Sequence, residues 1–410
     1  MTDTLQPKIP AAPGGSAGLG DLARARWAEI RNGNLGSMPI AVGIILLAII
    51  FQSLNSNYLT PNNFVNLMVQ GAAMAAIAMG IVFVLLIGEI DLSAGYVSGV
   101  AGVLTALMLR PDGGQWPTAL AIPAAIAAGA VIGALHGILI TKLNLPSFVV
   151  TLAGLLGWNG VVLLLISNHG SIIIQDPAVI SLTSSFLPHW VAWTLLVLSV
   201  GGYLAVQLVQ RRNRSAAGLS VEPALLPWLR VAFLGVGGAA LVSVANLSLG
   251  IPYVFVVLGL FTLLWTYVQN RTRFGTWVYA IGGNLEAARR AGINTDRIRI
   301  ACFMISSSMA GVGGIILASR LRSVDSNVGG GSLLLYSIAA AVIGGTSLFG
   351  GRGSAKAAIL GALVIAAIDN GLGLLGLGSG QKFVITGLVL LIAVTVDAVS
   401  RRGQSSASKH

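Results

Sequence analysis

Apolar stretches long enough to cross a lipid bilayer recur along nearly the whole chain, from Met38 to Ser400, and nothing else in the sequence constrains the fold as strongly. Spanning about 30 Å of hydrocarbon takes roughly 20 apolar residues in a helix, which satisfies its own backbone hydrogen bonds where no water can. With 55% of its 410 residues hydrophobic and only 9% charged, the chain has too little polar surface to dissolve as a globule. The predicted fold class is all-α, a polytopic transmembrane helical bundle in contact with membrane lipid. The 53 glycines then mark close helix packing rather than loops, because small residues let helix backbones approach one another in lipid.

Twelve spans are expected, at about 38–54, 64–88, 93–109, 118–140, 148–167, 190–209, 231–249, 253–269, 300–319, 333–348, 357–376 and 383–399. The count is softest between Val231 and Asn270, where Gly250, Ile251 and Pro252 divide one apolar tract into two short pieces. A ten-span core plus an extra hairpin is the competing count. With the N-terminus inside, twelve spans leave 20 of the 24 Lys and Arg on the cytoplasmic face, the asymmetry that the positive-inside rule demands. Both termini are then cytoplasmic. Residues 1–37, rich in Pro, Gly, Ala and Ser, read as a mobile tail. Residues 38–400 form the membrane domain, with a cytoplasmic loop at 270–299, and residues 401–410 are a second tail. The turns GEIDLSAG from Gly88 and GGTSLFGG from Gly344 echo each other, which suggests parallel repeats in spans 1–4 and 9–12.

Several function classes fall away on chemistry. The net charge of +11 sits in short clusters between spans, without the aromatic-interleaved basic face of a nucleic-acid binder, so topology accounts for it. The single cysteine, Cys302, excludes disulfides within the chain and cysteine-based metal clusters, and reads as a small buried hydrophobe. No paired catalytic carboxylates, His-rich metal spacing or nucleophile–base pair stand out, so neither catalytic nor metal-ligating residues are expected and the chain is not read as an enzyme. No G-x-x-x-x-G-K-[ST] phosphate loop exists, and the Gly-rich stretch from Gly344 to Gly353 runs on into Ser354 and Ala355. The chain therefore carries no cofactor of its own, and any ATP must be hydrolysed by a partner subunit.

The longest polar stretch between spans, Asn270 to Arg299, reads NRTRFGTWVYAIGGNLEAARRAGINTDRIR. Its middle has the grammar of a short amphipathic helix. Asn284 can cap the start after Gly282 and Gly283, Glu286 complements the dipole in the first turn, and Gly292 with Asn294 ends it. Ala287 and Ala288, followed by Arg289, offer small side chains that could seat in a protein cleft.

On those residues, the segment GTWVYAIGGNLEAARRAGIN resembles the cytoplasmic loop of the sugar permeases in the ribose/xylose/arabinose/galactose branch of bacterial ATP-binding-cassette importers. Glu286, Ala287, Ala288 and Gly292 match the EAA-three residues-Gly spacing of importer coupling helices, although no Ile-x-Leu-Pro follows Gly292. GEIDLSAGYVSG, AAAVIGGTSLFGGRGS and IDNGLGLLGL support the same branch, and the extra hairpin and overall length resemble the xylose-type permeases most. The resemblance implies a multi-pass permease of the bacterial inner membrane, working as a homodimer. A cytoplasmic ATPase would grip Gly282, Gly283, Asn284, Glu286, Ala287, Ala288, Arg289 and Gly292. An extracytoplasmic binding protein would deliver a monosaccharide, a pentose such as xylose.

A neutral polyol is best lined by amides and aromatic faces, so Asn66, Gln70, Trp158, Asn159, Asp369 and Asn370 are the candidate translocation residues. Asn62, Asn63, Arg322, Asp325 and Asn327, in the expected external loops, are candidates for docking the binding protein. The competing function is an ion-coupled secondary transporter for a small neutral solute, which would keep carboxylates or His as ion sites within spans. Candidates for that are few. Asp91 with Ser93 reads as the cap of span 3, Glu89 as an interface residue, and His136 as a hydrogen-bonded residue. Asp369, deep in span 11, must be hydrated, protonated or paired.

Overall fold

The computed structural model describes residues 38–218, 225–389, 391 and 395. The expected tails at 1–37 and 401–410, and the end of the last expected span, lie outside the described residues. Helices α1 (Met38–Leu54), α2 (Pro61–Leu86), α3 (Ala94–Leu109), α4 (Thr118–Lys142) and α5 (Ser147–Ile166) come first. Strand β1 (Ser171–Ile173) and α6 (Pro177–Ser184) precede α7 (His189–Ala216), α8 (Leu225–Asn246) and α9 (Tyr253–Arg271). Two short helices, α10 (Arg273–Gly283) and α11 (Leu285–Arg290), then lead into α12 (Thr295–Leu321). Strand β2 (Ser323–Asp325), α13 (Leu333–Ile343) and α14 (Ala355–Leu374) follow, and a last helix, α15, is described over 379–389.

Every one of the twelve expected spans overlaps a helix. Among the described residues, eight helices, α2, α4, α5, α7, α8, α9, α12 and α14, are long and apolar enough to cross a membrane. The chain is a polytopic helical membrane protein. Helix α13 has 11 residues. At 1.5 Å per residue it rises only about 17 Å, too little to cross alone.

Two compact units divide the chain. In one, α7 and α8 pack against each other, with Gly238 seated beside Leu196. Their apolar stretches are only 6% and 11% buried, as helices facing lipid should be. Gly250 to Pro252 does separate two helices, α8 from α9, but α9 packs on α2 in the other unit. The self-contained pair is therefore α7–α8, not the 231–269 tract where the sequence count was softest.

The second unit is built around α2, whose apolar stretch is 89% buried. Thr60 starts the helix by accepting from the Asn63 amide, with Pro61 in the first turn where its missing N–H does no harm. Helices α2 and α12 run antiparallel, Gly80 of α2 meeting Ser306 and Met309, and Gly313 of α12 meeting Ala73 and Ile77. Gly129, Gly133 and Gly137, one turn apart on α4, lie against the α12 backbone at Ser307, Phe303 and Ile300. Helix α4 packs on α12 as α14 packs on α2, and α3 touches α4 and α12 as α13 touches α14 and α2. Because α2 and α12 are antiparallel, the repeat runs α2–α4 against α12–α14 in inverted sense, which corrects the expected parallel repeat.

Two features were not expected. Strand β1 pairs antiparallel with β2 in the register Ser171↔Asp325, Ile172↔Val324 and Ile173↔Ser323, tying two distant loops together. The non-helical segment before α13 dives inward, burying Val328 and Gly329 against Gly95 and Gly99 of α3, where neighbouring protein shields irregular backbone from lipid. The unit thus has a strand end, carrying β1, β2 and the loop between α1 and α2. Its loop end carries α10, α11 and the turns at 87–93 and 344–354.

Candidate functional site

At the loop end the predicted helix exists, and its caps are those read from the sequence. The Asn284 side chain accepts from the Ala287 amide at 2.9 Å, Glu286 lies in the first turn, and it pairs with Arg290 one turn on at 3.2 Å. Gly292 closes the helix at φ +83. Its amide donates to the Arg289 carbonyl and the Ile293 amide to the Ala288 carbonyl, the Schellman pattern. The two alanines part company. Ala287 is exposed, whereas Ala288 is buried in the hydrophobic core of its own chain, so Ala288 is not available to a partner's cleft.

The residues before this helix form a second one, α10, beyond the single helix expected in this loop, and it buries Gly275, Val278 and Ile281. Thr272 caps its start by accepting from the Gly275 amide. Gly282 and Gly283 also differ in role. Gly283 has open space around it, but a Cβ on Gly282 would overlap the Leu86 carbonyl and crowd the Gly351 amide. Gly351 itself donates to the Leu86 carbonyl at 2.9 Å. Tyr279 of α10 donates to the Gly353 carbonyl at 2.8 Å, and burial pushes its phenol above the ordinary pKa. The buried Gln269 side chain accepts from the Ala355 amide at 3.0 Å, supplying the start of α14 with a cap from another helix. Glu89, in the turn after α2, is ion-paired with Arg299 of α12. Burial raises the Glu89 carboxyl, and the guanidinium pulls against that rise.

A second polar group lies inside the bundle. Asp91, 1% exposed, accepts from the Ser93 amide and hydroxyl and from the Ser306 hydroxyl at 2.8 Å. His136 Nδ1 meets the Ser93 hydroxyl at 3.2 Å, and its Nε2 accepts from the Trp158 indole at 3.1 Å. Since Nε2 accepts, the ring is neutral with its proton on Nδ1, directed along Ser93 towards Asp91. Trp158 therefore belongs to this interior network, whereas Asn159 forms no side-chain hydrogen bond with another translocation candidate among the described residues. Cys302 is buried and free.

The strand end brings together three of the expected translocation residues. Gln70 of α2 donates to Asp369 of α14 at 3.0 Å and accepts from Asn370 at 3.2 Å. Lys382 approaches the other Asp369 oxygen at 3.8 Å. Asn370 and Asn63 exchange reciprocal amide bonds, both at 2.9 Å. Asn63 also donates to the Tyr58 carbonyl, and Tyr58 donates to the Ala367 carbonyl. Asn63 is thus a buried member of this cluster and not a docking surface, which corrects its expected role. Beside it, Asn57, Thr60, Asn62, Asn63, Asn66 and Leu374 line an open cavity of about 320 Å³. Arg322, Asp325 and Asn327 are exposed around β2, Arg322 as the left-handed cap of α12 with φ +54.

Similarity to known proteins extends along nearly the whole chain. The family described as branched-chain amino acid transport system / permease component matches residues 63–394. The xylose transport system permease protein XylH of Escherichia coli (strain K12) is 34% identical over 92% of this chain and 95% of its own length. XylH of Haemophilus influenzae is 32% identical over 89% of the chain and 96% of its own length. The ribose import permease protein RbsC of Escherichia coli (strain K12) is 30% identical over 87% and 92%. No solved structure matches. A polytopic helical bundle with a capped loop helix between α9 and α12, matched along nearly its full length by transport permeases, belongs to the branched-chain amino acid transport system / permease component family.

Proposed function

We propose that this chain is the membrane-spanning permease subunit of an ATP-binding-cassette importer in the bacterial inner membrane. Its cargo is a pentose of the xylose or ribose type, delivered by an extracytoplasmic binding protein and driven by a separate ATPase. The observation that carries this reading is the capped helix Leu285–Arg290, whose exposed face presents Asn284, Glu286, Ala287 and Arg289, together with the full-length similarity to XylH. In this reading the loop end is cytoplasmic and the strand end extracytoplasmic. The chain crosses the membrane twelve times and pairs with a second copy, and the ATPase meets α11 through Ala287 rather than Ala288.

The family description names amino acids, but the strand-end cluster favours a sugar. A zwitterion needs an unpaired charge of each sign, whereas Asp369 and Lys382 lie 3.8 Å apart and face each other. Apart from Arg320, which lies within reach of the Asp369 charge, the groups there are the amides of Asn63, Asn66, Gln70 and Asn370, which both donate and accept and so suit hydroxyl groups. Asn62, Arg322, Asp325 and Asn327 surround the same end and would meet the loaded binding protein.

The test is uptake of radiolabelled xylose, ribose and leucine by proteoliposomes holding the permease, its ATPase and its binding protein. ATP-dependent pentose uptake that survives a protonophore and sodium removal is the expected result. Ala287→Trp should remove binding-protein stimulation of the ATPase while leaving the permease folded. Gradient-driven uptake by this chain alone would establish the secondary-transporter reading instead.

A further inference from the structure

We propose that Gln269 and Tyr279 are positioning residues that lock the coupling segment onto the turn 344–354, so that motion of α11 reaches α2 and α14 together. This deepens the importer reading and rests on it. Close glycine contacts build the seat. Gly282 fills a gap between the Leu86 carbonyl, at the end of α2, and the Gly351 amide, in the turn before α14, with no room for a side chain. Gly350 is nearly as constrained, since a Cβ there would come within 2.8 Å of the Gly282 carbonyl and 3.0 Å of the Gly88 amide. Both Gly350 and Gly351 have positive φ, at +86 and +73, which only glycine adopts without strain.

The side chains of Gln269 and Tyr279 come from the two sides of the α9–α10 junction, and both close on the same turn. Gln269 accepts from Ala355 at 3.0 Å, and Tyr279 donates to Gly353 at 2.8 Å, so the entry into α14 is held from two directions. The Arg299–Glu89 ion pair secures the other turn, behind α2. The side chains of Gln269, Thr346 and Glu89 bring further buried polar atoms to this junction. Helices α2 and α14 leave the seat side by side, Gly71 against Ala366, and both reach the strand-end amide cluster. A displacement of the coupling segment therefore enters two packed helices at once.

The experiment compares Tyr279→Phe, Gln269→Met and Gln269→Glu in the complete reconstituted complex, reading sugar transported per ATP hydrolysed. Phe keeps the ring and deletes one hydrogen bond, Met removes the acceptor for Ala355, and Glu restores an acceptor at a helix N-terminus. Tyr279→Phe and Gln269→Met are expected to lower transport per ATP about 5-fold, the low end of ordinary coupling between sites, with basal ATPase unchanged. Gln269→Glu should recover most of the ratio, which a loss of folding could not explain. If wild type drives uptake with ATP and both losing variants keep its ratio, the seat is not a positioning device and this inference falls alone. If wild type shows no ATP-driven uptake, the importer reading and this inference fall together.

Discussion

The pair α2 and α14 is held at its two ends by different kinds of contact. At the loop end the join is backbone against backbone, Gly282 on Leu86 and Gly351, with glycine required because nothing larger fits. At the strand end the same two helices meet through side chains, in the reciprocal amides of Asn63 and Asn370 and the bridge from Gln70 to Asp369. A glycine contact has no slack and passes displacement on. An amide cluster can exchange partners with water or a hydroxyl at small net change, since each broken bond is replaced by another. The difference suggests a stiff driven end and a switchable responding end.

The largest expected effect comes from making the stiff end bulky. Gly282→Val must displace the Leu86 carbonyl or the Gly351 amide, so ATP-driven uptake should disappear and limited proteolysis should cut within 272–294. Normal uptake by this variant would erase the distinction between the two ends. An intermediate effect is expected at Asp369. Replacement by Leu removes the acceptor of Gln70 and the charge partner of Lys382, both of them partly exposed, and should lower the thermal midpoint in detergent. Asn should be milder, because it can still accept from Gln70. Equal loss of uptake with Asn and Leu would mean that the charge itself is required, as in an ion site. The smallest effect is the coupling between Asn63→Ala and Asn370→Ala. A double-mutant cycle on stability should give an interaction of about 0.5–3 kcal/mol, because each single change leaves one amide without its mate. Additive effects would show that the reciprocal pair is not the responding element.

The sequence was informative where the physics is local. Asn284, Glu286 and Gly292 could be placed because a cap, a dipole complement and a left-handed stop act within one turn. Which alanine faces inward could not, since Ala288 is turned to the core by Gly292 reversing the chain and by the packing of Ile293 and Ile298. Asn63 and Asn370 stand far apart in sequence, and nothing in either neighbourhood announces the other. Gln269 has no local signature, because a cap normally precedes its own helix and this one arrives from α9. Turn chemistry alone does not identify the repeat. The Schellman pattern at Gly88 and Gly345 also ends α11 at Gly292 and α14 at Gly376, so it marks where helices stop and not what they copy. The inverted repeat lives in packing and leaves no trace in span length, since 38–54, 253–269 and 383–399 are as short as 93–109.

The glycine face of α4 has a consequence for biogenesis. Gly129, Gly133 and Gly137 find their partner only on α12, whose first residue follows Lys142 by about 150 residues. At 5–20 residues per second, ribosomal elongation leaves that face without its mate for roughly 8 to 30 s after α4 emerges. Helix insertion and helix association are separable steps in a membrane, and here the second must wait for the first to finish much further along the chain. Synthesis that stalls between α4 and α12 should therefore yield an inserted but unassembled intermediate, the form on which membrane quality-control proteases would act.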